Sequence, residues 1–119
     1  MTVETASGGE ATAPSEPHHV DGQGELDEFV ADNDVVLADF YADWCGPCQM
    51  LDPVVETLAA ETDAAVAKVD VDANQQLAAD YGVRGVPTLV LFADGEQVEE
   101  VVGAQSEEQL RSLVAQYTE

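Results

Sequence analysis

Val35-Val36-Leu37-Ala38-Asp39-Phe40-Tyr41-Ala42-Asp43-Trp44-Cys45-Gly46-Pro47-Cys48 is the stretch of this sequence from which the fold and the chemistry can both be read. It opens as a continuous apolar run with one carboxylate inside it, and its length and β-branching predict a strand buried on both faces. Beyond the Gly-Pro pair, Met50, Leu51, Val54, Val55 and Leu58 recur at helical spacing and are expected on one inward face, with Met50 and Leu51 in the core. Pro53 should kink this helix. A strand that feeds straight into a helix puts Cys45 at the helix N-terminus, where unpaired amides and the dipole favour a thiolate. Residues three apart on a helix hold their Cβ atoms about 5–6 Å apart. A disulfide wants about 3.5–4.5 Å, so a modest local adjustment closes a Cys45–Cys48 bond. Cys48, one turn in, should be more buried and keep its proton longer, so that one sulfur attacks and the other resolves. Pro47 stiffens the first turn, and Gly46 allows another chain to come close.

Upstream of this stretch, residues 1–17 are rich in Gly, Ser, Thr, Pro and Glu and carry no aromatic residue, which predicts a disordered acidic tail. A single folded domain is expected over residues 18–119. His18-His19-Val20 suits a short edge strand, and Leu26, Phe29 and Val30 a short helix. Downstream, Ala65 to Val71 reads as a second buried strand, followed by a short helix carrying Leu77, Ala78 and Tyr81. Thr88–Phe92 and Val98–Val102 form a hairpin around Asp94-Gly95. Ser106-Glu107-Glu108-Gln109 is a capping-box signature, opening a last helix with Leu110, Leu113, Val114 and Tyr117 inward. Helices between the early strands imply parallel pairing and the hairpin adds an antiparallel part, so the class is α/β with a mixed sheet.

Other chemistries fit the residues less well. A buried, inert cysteine pair accounts neither for the helix-terminal placement nor for the Gly-Pro between the sulfurs. A zinc site needs four ligands; only His18 and His19 remain, adjacent and upstream, which is not the usual arrangement. No metal is expected. Asp70-Val71-Asp72-Ala73-Asn74 starts like a calcium loop, but Gln75 stands where glycine is needed and Tyr81 where glutamate is needed, so helix capping is the better reading.

Charge narrows the function classes. Twenty-five acidic against three basic residues leave 25 − 3 = 22 net negative charges on 119 residues. Such a polyanion repels phosphate backbones and anionic headgroups, which argues against nucleic-acid and membrane partners. No stretch approaches the roughly 20 apolar residues of a membrane span. The first residues carry neither a basic region nor an apolar run, so a secretory signal is not expected. Two cysteines make no disulfide framework, and a cytoplasmic location is expected. The acidic residues are scattered rather than gathered in a tail, which favours a salt-adapted surface over an acidic binding segment.

Trp44-Cys45-Gly46-Pro47-Cys48 resembles the active site of the thioredoxin family, and the likeness extends over about residues 20–119. Val35 to Cys48 resembles the family's central strand and active-site turn, and Arg84-Gly85-Val86-Pro87-Thr88 its cis-proline loop. Asp94-Gly95 and Gly103 fall where the family has its late hairpin and a glycine. The resemblance implies a three-layer sandwich, with sheet order 1-3-2-4-5 and helices on both faces. It implies a thiol–disulfide oxidoreductase without a cofactor, monomeric, acting on disulfide-containing proteins and regenerated by a thioredoxin reductase. It implies an exposed Trp44 shielding the sulfurs and a cis Val86–Pro87 bond presenting the Val86 backbone to an extended substrate, with Gly46, Pro47 and Gly103 beside them. It also places Asp39 and Lys68, the only lysine, together beneath the active site, where they are expected to form an ion pair. Burial should then raise the Asp39 pKa, so that it takes the proton of Cys48 through water. Two residues depart from the commonest pattern, Tyr41 in place of Trp and Gln49 in place of a basic residue.

The charge predicts a measurable dependence on salt. A domain of this size is stable by only about 5–15 kcal/mol, and 22 net negative charges repel across a Debye length that shrinks from about 10 Å at 0.1 M to about 3 Å at 1 M salt. The melting temperature should rise steeply with potassium chloride and keep rising above about 0.5 M. Circular-dichroism melts across a salt series check it; a flat profile would contradict a salt-adapted surface.

Overall fold

The computed structural model describes residues 13–118. Residues 1–12 of the expected tail lie outside the described residues; within 13–17, Ala13 packs against the core. The elements are β1 (His18–His19), α1 (Gly22–Asp32), β2 (Val35–Tyr41), α2 (Gly46–Glu61), β3 (Ala65–Asp70), α3 (Gln75–Asp80), β4 (Thr88–Ala93), β5 (Glu96–Val102) and α4 (Glu107–Ala115). They build one sheet of order β1-β3-β2-β4-β5. β3 runs parallel to β1 and β2, while β4 is antiparallel to both β2 and β5. No helix among the described residues is long and apolar enough to cross a membrane.

Strand alternation divides the core into two halves. Val36, Ala38 and Phe40 face α1 and α3, meeting Leu26, Val30, Leu77 and Ala78. Val35 and Leu37 face α2 and α4, meeting Leu51, Val55, Leu58, Leu110 and Val114. Both faces of β2 are therefore covered and both of its edges are paired, as the unbroken apolar run requires. Each large apolar side chain fully buried here contributes about 1.5–3 kcal/mol.

Local chemistry explains the boundaries. Asp94 and Gly95 both take positive φ, 52° and 86°, which is the turn that closes a tight hairpin between β4 and β5. The pairing skips a residue beside Leu91/Phe92, so that Val98 and Val101, three apart, both pack on the α4 side. Ser106 accepts a hydrogen bond from the Gln109 amide at 3.1 Å while the Gln109 side chain accepts from the Ser106 amide, completing the expected capping box of α4.

Two expectations need correction, Met50 in the core and helix capping by the Asp70–Asn74 segment. Met50 is not core: it is 77% exposed, because the inward stripe of α2 runs through Cys48, Leu51, Val55, Leu58 and Ala59 and leaves Met50 on the solvent side. The helix continues through Pro53, an exposed position where water can take the carbonyl that proline's missing N–H leaves unbonded. Asn74 stands at the N-cap of α3 but makes no side-chain cap there. Its Oδ1 instead accepts from the Gly22 amide at 2.8 Å, capping α1 across the fold, and its Nδ2 donates to the Asp70 carbonyl at 3.0 Å. Asp70 makes the local turn itself, its Oδ1 accepting from the Asp72 amide at 2.9 Å.

Asn74 is buried, so its loss orphans a helix-terminal amide rather than exposing it to water. Asn74→Ala should cost about 1–3 kcal/mol, against about 1 kcal/mol for Ser106→Ala at the exposed cap. Urea unfolding in molar potassium chloride measures both, and equal losses would contradict the cross-fold cap.

Candidate active site

The C-terminal end of β2 delivers the chain to a turn at Ala42–Cys45, and α2 begins at Gly46 with Pro47 in its first turn. Cys45 is thus the N-cap residue of a helix of 16 residues. Its Sγ accepts a hydrogen bond from the Cys48 amide at 3.2 Å. Negative charge on that sulfur would meet the donor and the positive end of the helix dipole. Cys45 and Cys48 are joined as a disulfide with Cα atoms 5.2 Å apart, inside the ordinary range. Both are buried, with Cys48 the deeper by a small margin, at 2% against 4% exposure. They form a small cluster with Ala42, against which Tyr41, Val71 and Val86 pack.

The surface around the disulfide is made by residues far apart in sequence. Trp44 is 71% exposed and its indole Nε1 donates to Asp72 Oδ2 at 2.9 Å, which ties the ring to the turn after β3. The Val86–Pro87 peptide bond is cis. The Val86 carbonyl oxygen lies 3.7 Å from Cys45 Sγ, so the backbone of this loop runs directly alongside that sulfur. Thr88 Oγ1 donates to the Gly85 carbonyl at 2.7 Å and closes the loop. Gly103 takes φ +93°, a conformation suited to glycine, and its amide donates to the Pro87 carbonyl at 2.8 Å. Trp44, Gly46 and Pro47 adjoin the cysteines along the chain, Val86 lies against Cys45, and Gly103 joins the same loop through its bond to Pro87. Gln49 donates to the Asp43 carbonyl at 2.9 Å, bracing the turn rather than adding charge.

Beneath this surface, Asp39 is completely buried on the α2-facing side of β2. Neither of its carboxyl oxygens has a hydrogen-bond partner among the described residues. Lys68 is its Cα partner on β3, yet the expected Asp39–Lys68 ion pair does not form. The ammonium bonds instead to Asp52 Oδ1, on α2, and lies 4.4 Å from the centroid of the Tyr41 ring. Asp52 keeps part of its carboxylate in water, so pairing there spares the cost of drying both ions; the tyrosine face adds further attraction. Burial pushes the Asp39 carboxyl up to about 7, against a lowering by the Lys68 charge and a smaller raising by Asp52. Asp52 and the Trp44 partner Asp72 escaped the sequence reading. Asp52 carries one usable signal, lying four residues after Cys48 and so next to it on the helix surface.

Among the described residues no group of three or more His, Cys, Asp or Glu side chains is arranged to hold a metal ion. His18 stacks on Phe29 with ring centroids 5.2 Å apart, and His19 meets Tyr41 edge-on at 6.2 Å. A buried disulfide at a helix N-terminus, a loop backbone beside it and a buried carboxyl of raised proton affinity on the strand that leads to it can together exchange disulfides and move one proton.

The family model for thioredoxin matches residues 18–116. A thioredoxin from Chlamydia muridarum is 46% identical over 84 residues, which span 70% of this chain and 82% of that protein. Among solved structures, a mutant thioredoxin from Halobacterium salinarum NRC-1 is 74% identical, with TM-score 0.89, covering 91% of this chain and 96% of its own. The thioredoxin of Fasciola hepatica is 36% identical with TM-score 0.79, covering 85% and 99%.

Asp39 also leaves a signature in stability. In the unfolded chain it ionises near 3.8, and in the folded protein near 7. Between these values the folded state holds a proton that the unfolded state has lost, so rising pH removes stability until about pH 7 and no further. At about 1.4 kcal/mol per pH unit the full effect is roughly 4 kcal/mol. Asp39→Asn should therefore match the wild type near pH 4 and exceed it by a few kcal/mol at pH 8, less whatever the buried amide costs. Chemical unfolding of both oxidised proteins at each pH measures the difference, and a gap independent of pH would show that Asp39 is ionised throughout.

Proposed function

The chain belongs to the thioredoxin family and is a protein-disulfide reductase; we propose that it works by the following cycle. Cys45, as thiolate, attacks one sulfur of a substrate disulfide. The substrate S–S bond breaks, a mixed disulfide forms through Cys45, and the released substrate sulfur leaves as a thiolate that takes a proton from water. Cys48 then gives its proton to the Asp39 carboxylate, through water, and attacks the Cys45 sulfur. The mixed disulfide breaks, the second substrate sulfur leaves, and Cys45 and Cys48 are left oxidised. Two electrons have passed to the substrate.

The observation that carries this reading is Cys45 Sγ at the N-terminus of α2, accepting from the Cys48 amide. It supports Cys45 as the nucleophile, because the same donor that holds the sulfur would stabilise its thiolate. The Val86 backbone beside it offers edge pairing to an extended substrate segment, with Trp44, Gly46, Pro47, Pro87 and Gly103 as the flanking surface. Lys68 acts on Asp39 by its charge, from its ion pair with Asp52. A thioredoxin reductase returns the dithiol, and the cycle serves redox balance in the cytoplasm of a salt-adapted cell; the net charge of −22 supports the last point. The working unit is residues 18–119 as a monomer.

Insulin reduction coupled to a thioredoxin reductase in molar salt tests the cycle. Cys45→Ala should abolish turnover, and Cys48→Ala should accumulate a mixed disulfide detectable by mass spectrometry. Asp39→Asn should slow release of that intermediate by about 10–100-fold while changing its formation less. Turnover by Cys45→Ala would reassign the nucleophile, and unchanged release in Asp39→Asn would remove the carboxyl from the mechanism.

A further inference from the structure

Lys68 has two carboxylates within its reach and bonds to only one of them. Asp39 is its neighbour across the β2–β3 pairing, and Asp52 hangs over both from α2. The ammonium goes to Asp52, whose side chain is 41% exposed, and the buried carboxyl on the neighbouring strand is left with both oxygens unpartnered among the described residues. Lys68 and Asp52 line a surface cleft of about 790 Å³ with Tyr41, His19, Asp43 and Glu56. Water thus has access to the ion pair from one side.

We propose that Asp52 is a positioning residue for the resolving step: by holding the Lys68 ammonium at the cleft, it keeps that cation off Asp39 and leaves the buried carboxyl without a counterion. The assignment rests on Asp39 as the proton acceptor and adds what sets its strength. The charged and titratable groups around Asp39 are few. β3 contributes Lys68, α2 contributes Asp52, one turn after the disulfide-bonded Cys48, its own strand contributes Tyr41, and β4 presents Leu89 opposite it. Lys68 is the one cation in this set, so its placement is the variable that matters. A carboxylate with no counterion binds a proton more tightly, which increases the drive for proton transfer from the Cys48 thiol. Were Asp52 absent, Lys68 could turn to Asp39 across the strand pair, stabilise the carboxylate and weaken it as an acceptor. Both partners are partly shielded from bulk solvent, so molar salt would screen this choice less than it screens surface pairs.

Carboxyl-carbon NMR of the oxidised full chain in molar potassium chloride reads the Asp39 titration directly. Asp52→Asn should lower the Asp39 midpoint by about one pH unit or more, and Asp52→Glu should hold it near the wild-type value. In a Lys68→Met background the same Asp52→Asn change should move the midpoint by a small fraction of that amount. The acid limb of mixed-disulfide release should shift to lower pH together with the midpoint in Asp52→Asn. An Asp39 midpoint unmoved by Asp52→Asn would overturn the proposal, as would an equal shift with and without Lys68, since Asp52 would then act by its own charge. Failure of the acceptor reading looks different: Asp39→Asn would release substrate at the wild-type rate, whatever Asp52 does to the titration.

Discussion

β2 is covered by helices on both faces and hydrogen-bonded on both edges, so a polar group within it can be answered only by side chains of its immediate neighbours. This constraint governs the whole active site. The strand must be apolar to be buried, and it must end where α2 begins, which puts Cys45 at the helix cap. The single carboxyl in that strand is buried by the same packing that fixes the disulfide above it. Its raised proton affinity is therefore a consequence of the architecture, with the charges around it as adjustments.

The chain meets this constraint with very few cations. Its basic residues are Lys68, Arg84 and Arg111. Arg111 joins Glu107 and Glu61, linking α4 to α2, and Lys68 joins Asp52 near the disulfide. Arg84 lies in the loop leading to the cis peptide, beside Trp44 and Val86. Two of the three positive charges are thus taken up in ion pairs within the fold or on its surface, and the remaining acidic groups have little to offset them. An ion pair between exposed partners such as Arg111 and Glu61 contributes about 0–1 kcal/mol, which cannot counter repulsion summed over the whole surface. Dissolved salt has to do that.

Much of the fold was legible because its local and global signals agree. The apolar run of β2, the Asp94-Gly95 turn and the Ser106…Gln109 capping box each have one physical solution, and the structure adopts it. The errors arose where periodicity alone had to assign a side. Met50 sits next to Leu51 in the helical pattern, but only the position of α2 against the sheet decides that Leu51 turns inward and Met50 outward. Asn74 has the residue type of a cap, yet the helix it caps is another one.

The elements, their order and the position of the disulfide follow from neighbours along the chain, because strand burial, turn chemistry and a Cys-Gly-Pro-Cys helix start are local properties. The resemblance carried by the same residues supplied the strand order. Which carboxylate takes the single lysine is settled by the packed fold. Asp39 and Asp52 are both within reach of Lys68, and the choice depends on which of them keeps contact with water once β2, β3 and α2 have packed. Desolvation is a property of the assembled fold, and no spacing along the chain records it.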